Sequence, residues 1–232
     1  MALDILKQYL TEKGYDSKVY DKFVTYYKLL IEWNNKFNLT SITDEKDVQI
    51  KHFIDSLLPN DCLKDVKYIC DIGCGAGFPS IPLAILNEDK NFTLVDSVNK
   101  KITFIDCVID ALQLKNVCSI HSRAEDFAQF NFQKYDACVA RALAQLPTLA
   151  EYTLPLLKKN GILIAYKGKN YLEEINQSQK IIKLLSSQIL DVREYDLTAD
   201  EKRFAIIIKK IGDCSKKYPR KGNKPRTQPI LG

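Results

Sequence analysis

The sequence predicts an α/β fold with a doubly wound, mostly parallel sheet, and three observations lead to this expectation. From about residue 67, short β-rich runs alternate with helical patterns, beginning with KYICDI, PSIPLAILN, NFTLVD and VNKKITFIDCVIDALQ. Short strands that alternate with longer helices are typical of parallel sheets with crossover helices. The first strand leads into a glycine-rich turn, CDIGCGAGFPSIP, at residues 70–82. The last two strands, near ILDVREYDL and RFAIIIKKI, have no clear helix between them, which favours an antiparallel hairpin at one edge.

The ends of the chain differ from this alternating part. Residues 1–60 are predicted to form a helical extension, because apolar side chains recur at helical spacing; they are Ile5, Leu6, Tyr9, Leu10, Val19, Phe23, Tyr26, Tyr27, Leu30 and Trp33. Residues 61–212 would form the Rossmann-like domain. Residues 213–232 hold three prolines and six Lys or Arg, and are predicted to form an extended basic arm of the same domain.

The composition excludes several classes of protein. The chain is 46% apolar and 27% charged, and no apolar run approaches the roughly 20 residues that span a membrane. The N-terminus shows no signal-peptide pattern, so we expect a cytoplasmic protein without membrane association. Separately, we expect a monomer. Its seven cysteines are an odd, scattered set, and Cys70 and Cys74 lack the two-residue spacing of metal or redox pairs. Neither a disulfide framework nor a metal site is expected.

Positive charge is concentrated at the C-terminal end. From Lys209 onward the chain has eight Lys or Arg and one acidic residue, so this end carries +7 and the rest of the chain −2. A nearly neutral body with a basic end predicts contact with a polyanion.

The glycine-rich turn predicts a ligand site. Ligands of doubly wound sheets bind beyond the carboxyl ends of the strands, where glycines let the backbone approach closely. The pattern DxGxGxG, with Asp71, Gly73, Gly75 and Gly77, is not the GxGxxG of dinucleotide sites, and Phe78 followed by proline crowds the pyrophosphate position. Asp96 ends the second strand, where a carboxylate can accept both ribose hydroxyls. A nucleoside site without a phosphate cradle indicates S-adenosylmethionine; a purely structural turn and an NAD-type oxidoreductase are the alternatives.

Three further residues are predicted at the same crevice. Ala124 and Glu125, in HSRAEDF after the third strand, could lie beside the adenine, or in a charged surface loop. Arg141 ends the fourth strand and points towards the crevice, with a structural ion pair to Asp71 or Glu125 as the alternative. His121 is expected to neighbour the cofactor site.

The motifs that the sequence lacks reduce the number of possible methyl acceptors. Amino-group methylation of bases usually needs an Asn/Asp-Pro-Pro-aromatic segment after the fourth strand, where this chain has VARAL, and no Pro-Cys offers a nucleophile for pyrimidine carbon-5. Nitrogen-7 of guanine carries no proton, so it requires no general base. No catalytic residue is therefore assigned. His52 and Arg141 are candidates for lining the acceptor cavity, although His52 could equally serve in packing or capping.

The motifs resemble the glucose-inhibited division protein B (RsmG) family. They are WNNKFNLTSIT at 33–43, HFIDSL at 52–57, DIGCGAGFPSIPLAI at 71–85, LVDSVNKKITFI at 94–105, SRAEDF at 122–127, VARALAQLPTL at 139–149 and YPRKGNKP at 218–225. The resemblance implies a seven-stranded S-adenosylmethionine-dependent methyltransferase. Its implied activity is direct, in-line methylation of guanine nitrogen-7 in 16S small-subunit ribosomal RNA, free or within the ribosomal subunit.

The resemblance also implies site residues. Cofactor contacts would be Gly73, Phe78, Asp96, Ser97, Val98, Ala124, Glu125 and Arg141, with Asp71, Gly75 and Gly77 shaping the turn. The RNA side would include Trp33, Asn34, Asn38, Thr40, Arg220 and Lys221, although Trp33 could be a core aromatic. After YPRK, Asn223 replaces the family's usual glycine and Thr227 its usual basic residue. Of all the family's contacts, those of the C-terminal arm are therefore the least transferable to this chain. A methyltransferase for a small molecule or protein, and a non-catalytic RNA-binding module, remain the alternatives.

Overall fold

A seven-stranded sheet forms the centre of the structure. The structure is a computed structural model that describes residues 3–232. The strands are β1 Tyr68–Ile72, β2 Asn91–Asp96, β3 Val117–His121, β4 Tyr135–Arg141, β5 Leu157–Lys167, β6 Ser187–Asp196 and β7 Lys202–Lys210. Their order is β3-β2-β1-β4-β5-β7-β6. β1 to β5 pair in parallel, whereas β7 runs antiparallel to both β5 and β6. The predicted parallel sheet with an antiparallel edge hairpin is confirmed.

Ten helices surround the sheet in the described part of the chain. They are α1 Asp4–Glu12, α2 Ser17–Asn34, α3 Glu45–Asp47, α4 Asp55–Leu57, α5 Ser80–Leu86, α6 Asn99–Leu112, α7 Ala124–Phe130, α8 Leu146–Thr153, α9 Tyr171–Leu184 and α10 Lys224–Thr227. A π-helical segment, Val48–Ile54, connects α3 to α4. Crossover helices lie on both faces of the sheet, which leaves the carboxyl ends of β1, β2, β3 and β4 at one edge.

The N-terminal helices share a hydrophobic core with the sheet. α2 begins after Asp16, whose carboxylate accepts a hydrogen bond from the Val19 amide at 3.1 Å and so caps the helix. Phe23 and Tyr26 on its inner face are fully buried and contact the Phe53 ring, at centroid distances of 5.1 and 5.5 Å. Residues 3–60 therefore pack as part of the same body; Met1 and Ala2 of the predicted extension lie outside the described residues.

The sequence predicted an extended arm at the C-terminus, and this prediction is wrong, because the segment folds back on the protein. Tyr218 belongs to an apolar cluster that includes the buried side chains of α8, and Pro225 is also buried. The backbone amide and guanidinium of Arg220 donate to the buried carboxylate of Glu151. A buried carboxylate is costly unless it is paired and hydrogen-bonded, and Arg220 is the residue that pairs it.

No helix among residues 3–232 combines the length and apolar character that crossing a bilayer requires. Within the same residues, no three His, Cys, Asp or Glu side chains are grouped as metal ligands would be.

Candidate active site

The glycine-rich turn connects β1 to α5 and lies at the centre of the site. Gly73 has a φ of +74°, and a Cβ there would come 2.3 Å from the Leu143 side chain. Gly77 has a φ of +96°, and a Cβ there would collide with the Tyr26 hydroxyl at 2.8 Å. That hydroxyl donates to the Ala76 carbonyl at 2.5 Å, so α2 holds the far side of the turn. Two cavities, described below, lie at the turn, and Gly77 borders neither of them. Its position fits a residue that shapes the turn, as the resemblance implies.

Asp71 lies beneath the turn. Its carboxylate accepts a hydrogen bond from the Ser80 hydroxyl at 2.7 Å and so holds the start of α5. Its other oxygen is buried without a hydrogen-bond partner in the described part of the chain, and burial raises the pKa of Asp71 to about 7. Asp71 borders neither cavity, so it supports the turn from below.

Asp96, at the end of β2, locks two backbone segments together. One carboxylate oxygen accepts from the Gly75 amide at 3.0 Å and the other from the Val98 amide at 2.9 Å. Lys101 lies 3.8 Å from the same carboxylate. Each oxygen keeps lone pairs beyond these contacts, so the carboxylate is held in place with acceptor capacity left for a ligand.

The first cavity has a volume of about 410 Å³ and lies beyond the ends of β2 and β3. Six of the predicted cofactor residues border it: Gly73, Asp96, Ser97, Val98, Ala124 and Glu125. Sequence reasoning missed the remaining polar walls, which include Lys101, Ser122, Arg123, Tyr152, Asn223 and Arg226.

Glu125 is the second carboxylate of this cavity and is almost completely buried. Arg123 holds it, with Nε and Nη2 both directed at Oε1, at 2.8 and 2.7 Å. The charge of Glu125 is therefore compensated by a side chain that itself borders the cavity.

The second cavity has a volume of about 680 Å³ and opens towards the N-terminal helices. Among its walls are Thr40, His52, Gly75, Phe78, Arg141, Lys167 and Glu174. The two cavities share Gly73, Lys101 and the segment Ala142–Ala144, so they meet at the turn. Of the predicted cofactor residues, Gly75, Phe78 and Arg141 thus border the second cavity only.

His52 forms part of the wall of the second cavity and is uncharged. Its ring stacks on Phe78 at a centroid distance of 4.3 Å, and its Nε2 lies 2.8 Å from the Thr40 hydroxyl. Burial and, second to it, the neighbouring Arg141 charge lower the pKa of His52 to about 3. A neutral imidazole here places no positive charge of its own beside the cavity.

Arg141 connects the sheet to the helix that carries His52. Its guanidinium donates to Asp55 at 2.9 Å and to the Lys51 carbonyl at 3.2 Å, and lies 5.2 Å above the Phe78 ring. Its ion-pair partner is Asp55, and neither alternative partner from the sequence, Asp71 or Glu125, contacts it. Asp55 also pairs with Arg203 at 3.4 Å, yet burial raises the pKa of Asp55 above its usual range. The sequence offers one signal for this carboxylate, an acid inside the apolar helix HFIDSL.

The residues predicted on the RNA side occupy different environments. The Asn34 side chain accepts from the amides of Leu39 and Thr40, at 2.8 and 2.9 Å, and fixes the loop that rims the second cavity. Trp33 is half-buried, with its ring 5.7 Å from that of Phe104. Asn38 and Lys221 are exposed. Arg220 forms an ion pair with the buried Glu151 and so has a structural role.

Sequence comparisons with other proteins all indicate the same family for this chain. A family model described as rRNA small subunit methyltransferase G (GidB) matches residues 19–203. A protein named ribosomal RNA small subunit methyltransferase G from Clostridium botulinum is 46% identical over 216 residues, covering 91% of this chain and 90% of its own. The Bacillus subtilis protein of the same name is 43% identical over 230 residues, covering 96% of both chains.

Solved structures agree on the fold. An O-methyltransferase from Bacillus cereus, in complex with SAH, matches with a TM-score of 0.58 and 17% identity, over 87% of this chain and 95% of that one. TYW2 from M. jannaschii, in complex with AdoMet, matches with a TM-score of 0.52 and 13% identity, over 67% and 74% of the two chains. With a family model matching most of its length and relatives above 40% identity across nearly all of it, the chain belongs to the rRNA small subunit methyltransferase G (GidB) family.

Proposed function

We propose that this protein uses S-adenosylmethionine to methylate nitrogen-7 of a guanine in 16S small-subunit ribosomal RNA, by direct transfer without a covalent enzyme intermediate. The observation that carries the proposal is the meeting of two cavities at Gly73 and Ala142–Ala144. One is bordered by carboxylates suited to a nucleoside. The other is bordered by an uncharged histidine, an aromatic ring and a paired arginine.

The first cavity fits the adenosine part of the cofactor. Asp96 keeps acceptor capacity for ribose hydroxyls, and its orientation is fixed by two backbone amides. A Cβ at Gly73 would lie 2.3 Å from the Leu143 side chain, so glycine is what allows Leu143 to pack against the turn where the two cavities meet. Ala124 and Glu125 would lie beside the base, and Ser97 and Val98 beside the ribose. When bound there, the sulfonium supplies a methyl group that is already activated for displacement.

The second cavity suits an acceptor that needs no deprotonation. Nitrogen-7 of guanine has a free lone pair at neutral pH, so the protein must position the base more than activate it. Well-oriented reactants can gain about 7–11 kcal/mol from such positioning. His52 is neutral and already engaged by Thr40, and Arg141 is held by Asp55. Both therefore act as rigid wall residues in this proposal.

Lys167 and Glu174 offer a means of recognising guanine at the same cavity. The Lys167 ammonium donates to the Ala144 carbonyl at 2.9 Å and to a Glu174 carboxylate oxygen at 2.6 Å. The second Glu174 oxygen accepts no hydrogen bond from residues 3–232. Guanine presents an acceptor, O6, next to donors at N1 and N2, and an adjacent ammonium and carboxylate complement that edge.

RNA would approach from the side of the loop at residues 35–42 and the basic C-terminal segment. Asn38 and Lys221 are exposed there for phosphate or sugar contacts, and Thr40 would face the acceptor base. We propose that residues 1–60 act as a helical extension that builds the acceptor side, residues 61–212 as the cofactor-binding domain, and residues 213–232 as a basic segment of the same domain.

A deletion strain tests the proposed function. Small-subunit RNA from cells without the gene is digested to nucleosides and compared with wild-type RNA by mass spectrometry. We expect the loss of one 7-methylguanosine per RNA, restored by the wild-type gene. Retention of every 7-methylguanosine would overturn the proposal.

A further inference from the structure

The C-terminal segment 218–228 contributes to the first cavity, although it follows the last strand of the sheet. Asn223 and Arg226 border this cavity together with Tyr152 of α8 and with Arg123. We propose that this segment forms the outer wall of the adenosine site, with Asn223 and Arg226 contacting the bound cofactor and the Arg220–Glu151 pair anchoring the wall. The inference rests on the proposed cofactor site and is independent of which nucleotide is methylated.

The anchor is a buried, bidentate ion pair. Nε and Nη2 of Arg220 donate to the two carboxylate oxygens of Glu151, each at 2.8 Å, and the Arg220 backbone amide donates to the same carboxylate at 2.8 Å. Glu151 is fully buried within α8. Charge-assisted, bidentate pairs are among the stronger hydrogen bonds in proteins, and their geometry is specific. The path of the segment across α8 is therefore well defined.

A second contact fixes the segment one turn earlier on α8. The Thr148 hydroxyl donates to the Pro225 carbonyl at 2.9 Å, and both residues are buried. Thr148 and Glu151 are three residues apart, so they lie on the same face of the helix. Arg226 directly follows Pro225, and its position at the cavity thus depends on this face.

A polar chain links the wall to the base side of the cavity. Asn223 accepts from Nη2 of Arg123 at 3.3 Å, and Arg123 in turn holds the buried carboxylate of Glu125. The wall therefore joins the cavity just beyond the end of β3, the strand next to the one that carries Asp96. An adenine base there meets donors suited to its unprotonated ring nitrogens. A guanidinium can also stack on its aromatic face.

Calorimetry with two ligands tests the proposal. S-Adenosylhomocysteine carries the adenosyl group and the amino acid, whereas 5′-methylthioadenosine carries the adenosyl group and a methylthio group without the amino acid. We expect Arg226→Ala to weaken both ligands by the same factor, about 3- to 30-fold. Asn223→Ala should weaken both by about 3- to 10-fold. Both side chains are exposed, so neither change should prevent folding.

Glu151→Gln tests the anchor, and a double variant separates positioning from general damage. If Glu151 acts through the wall, adding Arg226→Ala to Glu151→Gln should cost less affinity than it does in the wild-type protein. Arg193→Ala is the matched control, because Arg193 lies on β6 at the opposite edge of the sheet and forms ion pairs with Asp61 and Asp191 there. It should leave both affinities unchanged.

Two results would overturn the inference. One is unchanged affinity for both ligands in Arg226→Ala and Asn223→Ala. The other is a loss confined to S-adenosylhomocysteine, which would assign these residues to the amino-acid end. A wild-type protein that binds neither ligand would overturn the cofactor site itself, so the two failures are distinguishable.

Discussion

The two cavities that meet at the glycine-rich turn use their charged residues in different ways. In the first, Asp96 has both oxygens held by backbone amides and retains acceptor capacity towards the cavity. In the second cavity, the Arg141 guanidinium donates hydrogen bonds to Asp55 and to the Lys51 carbonyl. His52, which also borders this cavity, is neutral. The first arrangement suits recognition of a ligand. The second suits a rigid surface against which an acceptor base is positioned.

This difference explains why no catalytic base was identifiable from the sequence. A base would need a pKa near the working pH and a free lone pair towards the acceptor. His52 has a pKa far below that range, and its Nε2 is engaged by Thr40. The proposed acceptor, nitrogen-7 of guanine, carries no proton, so its methylation needs no catalytic base. Four substitutions test how these residues, and one exposed lysine of the C-terminal segment, contribute to binding and stability.

Asp96→Ala is expected to have the largest effect. It removes the acceptor for the ribose hydroxyls and releases the amides of Gly75 and Val98. Two hydrogen bonds to a charged group are worth about 3–6 kcal/mol, so the affinity for S-adenosylhomocysteine should fall at least about 100-fold. Calorimetry measures this loss. Asp106→Ala, which removes an exposed carboxylate of α6, should leave binding unchanged; unchanged binding in Asp96→Ala would require another ribose partner.

Arg141→Met should lower the free energy of unfolding by about 3 kcal/mol. The change leaves the buried Asp55 carboxylate with Arg203 alone, and an incompletely paired buried charge is destabilising. Urea unfolding measures the loss. Adding Asp55→Asn removes the stranded charge and should recover part of the stability. A double variant as unstable as the sum of its single changes would show that the pair is not coupled.

His52 should make stability depend on pH in the acidic range. Its pKa is about 3 in the folded protein and about 6.5 when unfolded, so the unfolded state takes up a proton first as the pH falls. The stabilisation is complete above pH 6.5 and is lost between pH 6.5 and 3. From pH 7.5 to pH 5, the wild-type protein should lose about 2 kcal/mol more than His52→Gln.

Asp71 has a raised pKa and contributes to this pH dependence with the opposite sign. Its contribution is common to both proteins and cancels in the difference, which chemical denaturation at a series of pH values measures. Parallel pH profiles would contradict a buried, neutral His52.

Lys221→Ala is expected to have the smallest effect. Lys221 is exposed and makes no ion pair in the described part of the chain, so its loss should spare folding and cofactor binding. If it contacts one phosphate, the slope of log affinity for RNA against log salt should become shallower by about 0.7–0.9. Arg220→Ala is not an equivalent probe, because Arg220 anchors Glu151. An unchanged salt slope would place Lys221 outside the RNA contact.

The sheet was predictable from the sequence because its signals are local. Runs such as NFTLVD and RFAIIIKKI carry strand patterns within a few residues, and the helices between them have the apolar period of helices. The ends of β1 and β2 then bring the turn and Asp96 together by topology alone. This is why six predicted cofactor residues border one cavity.

The ion pairs that the sequence did not predict join residues that are distant along the chain. Glu151 and Arg220 are 69 positions apart, and Asp55 and Arg141 are 86 apart. Nothing local in YPRK distinguishes an arginine that pairs with a buried carboxylate from one that remains exposed. The basic composition of residues 213–232 therefore predicted an extended arm, whereas the burial of Tyr218 and Pro225 folds the segment against α8.

The most direct test of the two-cavity account follows the methyl group itself. Small subunits or their RNA from the deletion strain are incubated with the wild-type protein and methyl-deuterated S-adenosylmethionine, and the nucleosides are analysed by mass spectrometry. We expect one deuterated 7-methylguanosine per RNA with the wild-type protein and none with Asp96→Ala. A deuterated nucleoside other than 7-methylguanosine, or equal labelling by Asp96→Ala, would contradict the two-cavity account.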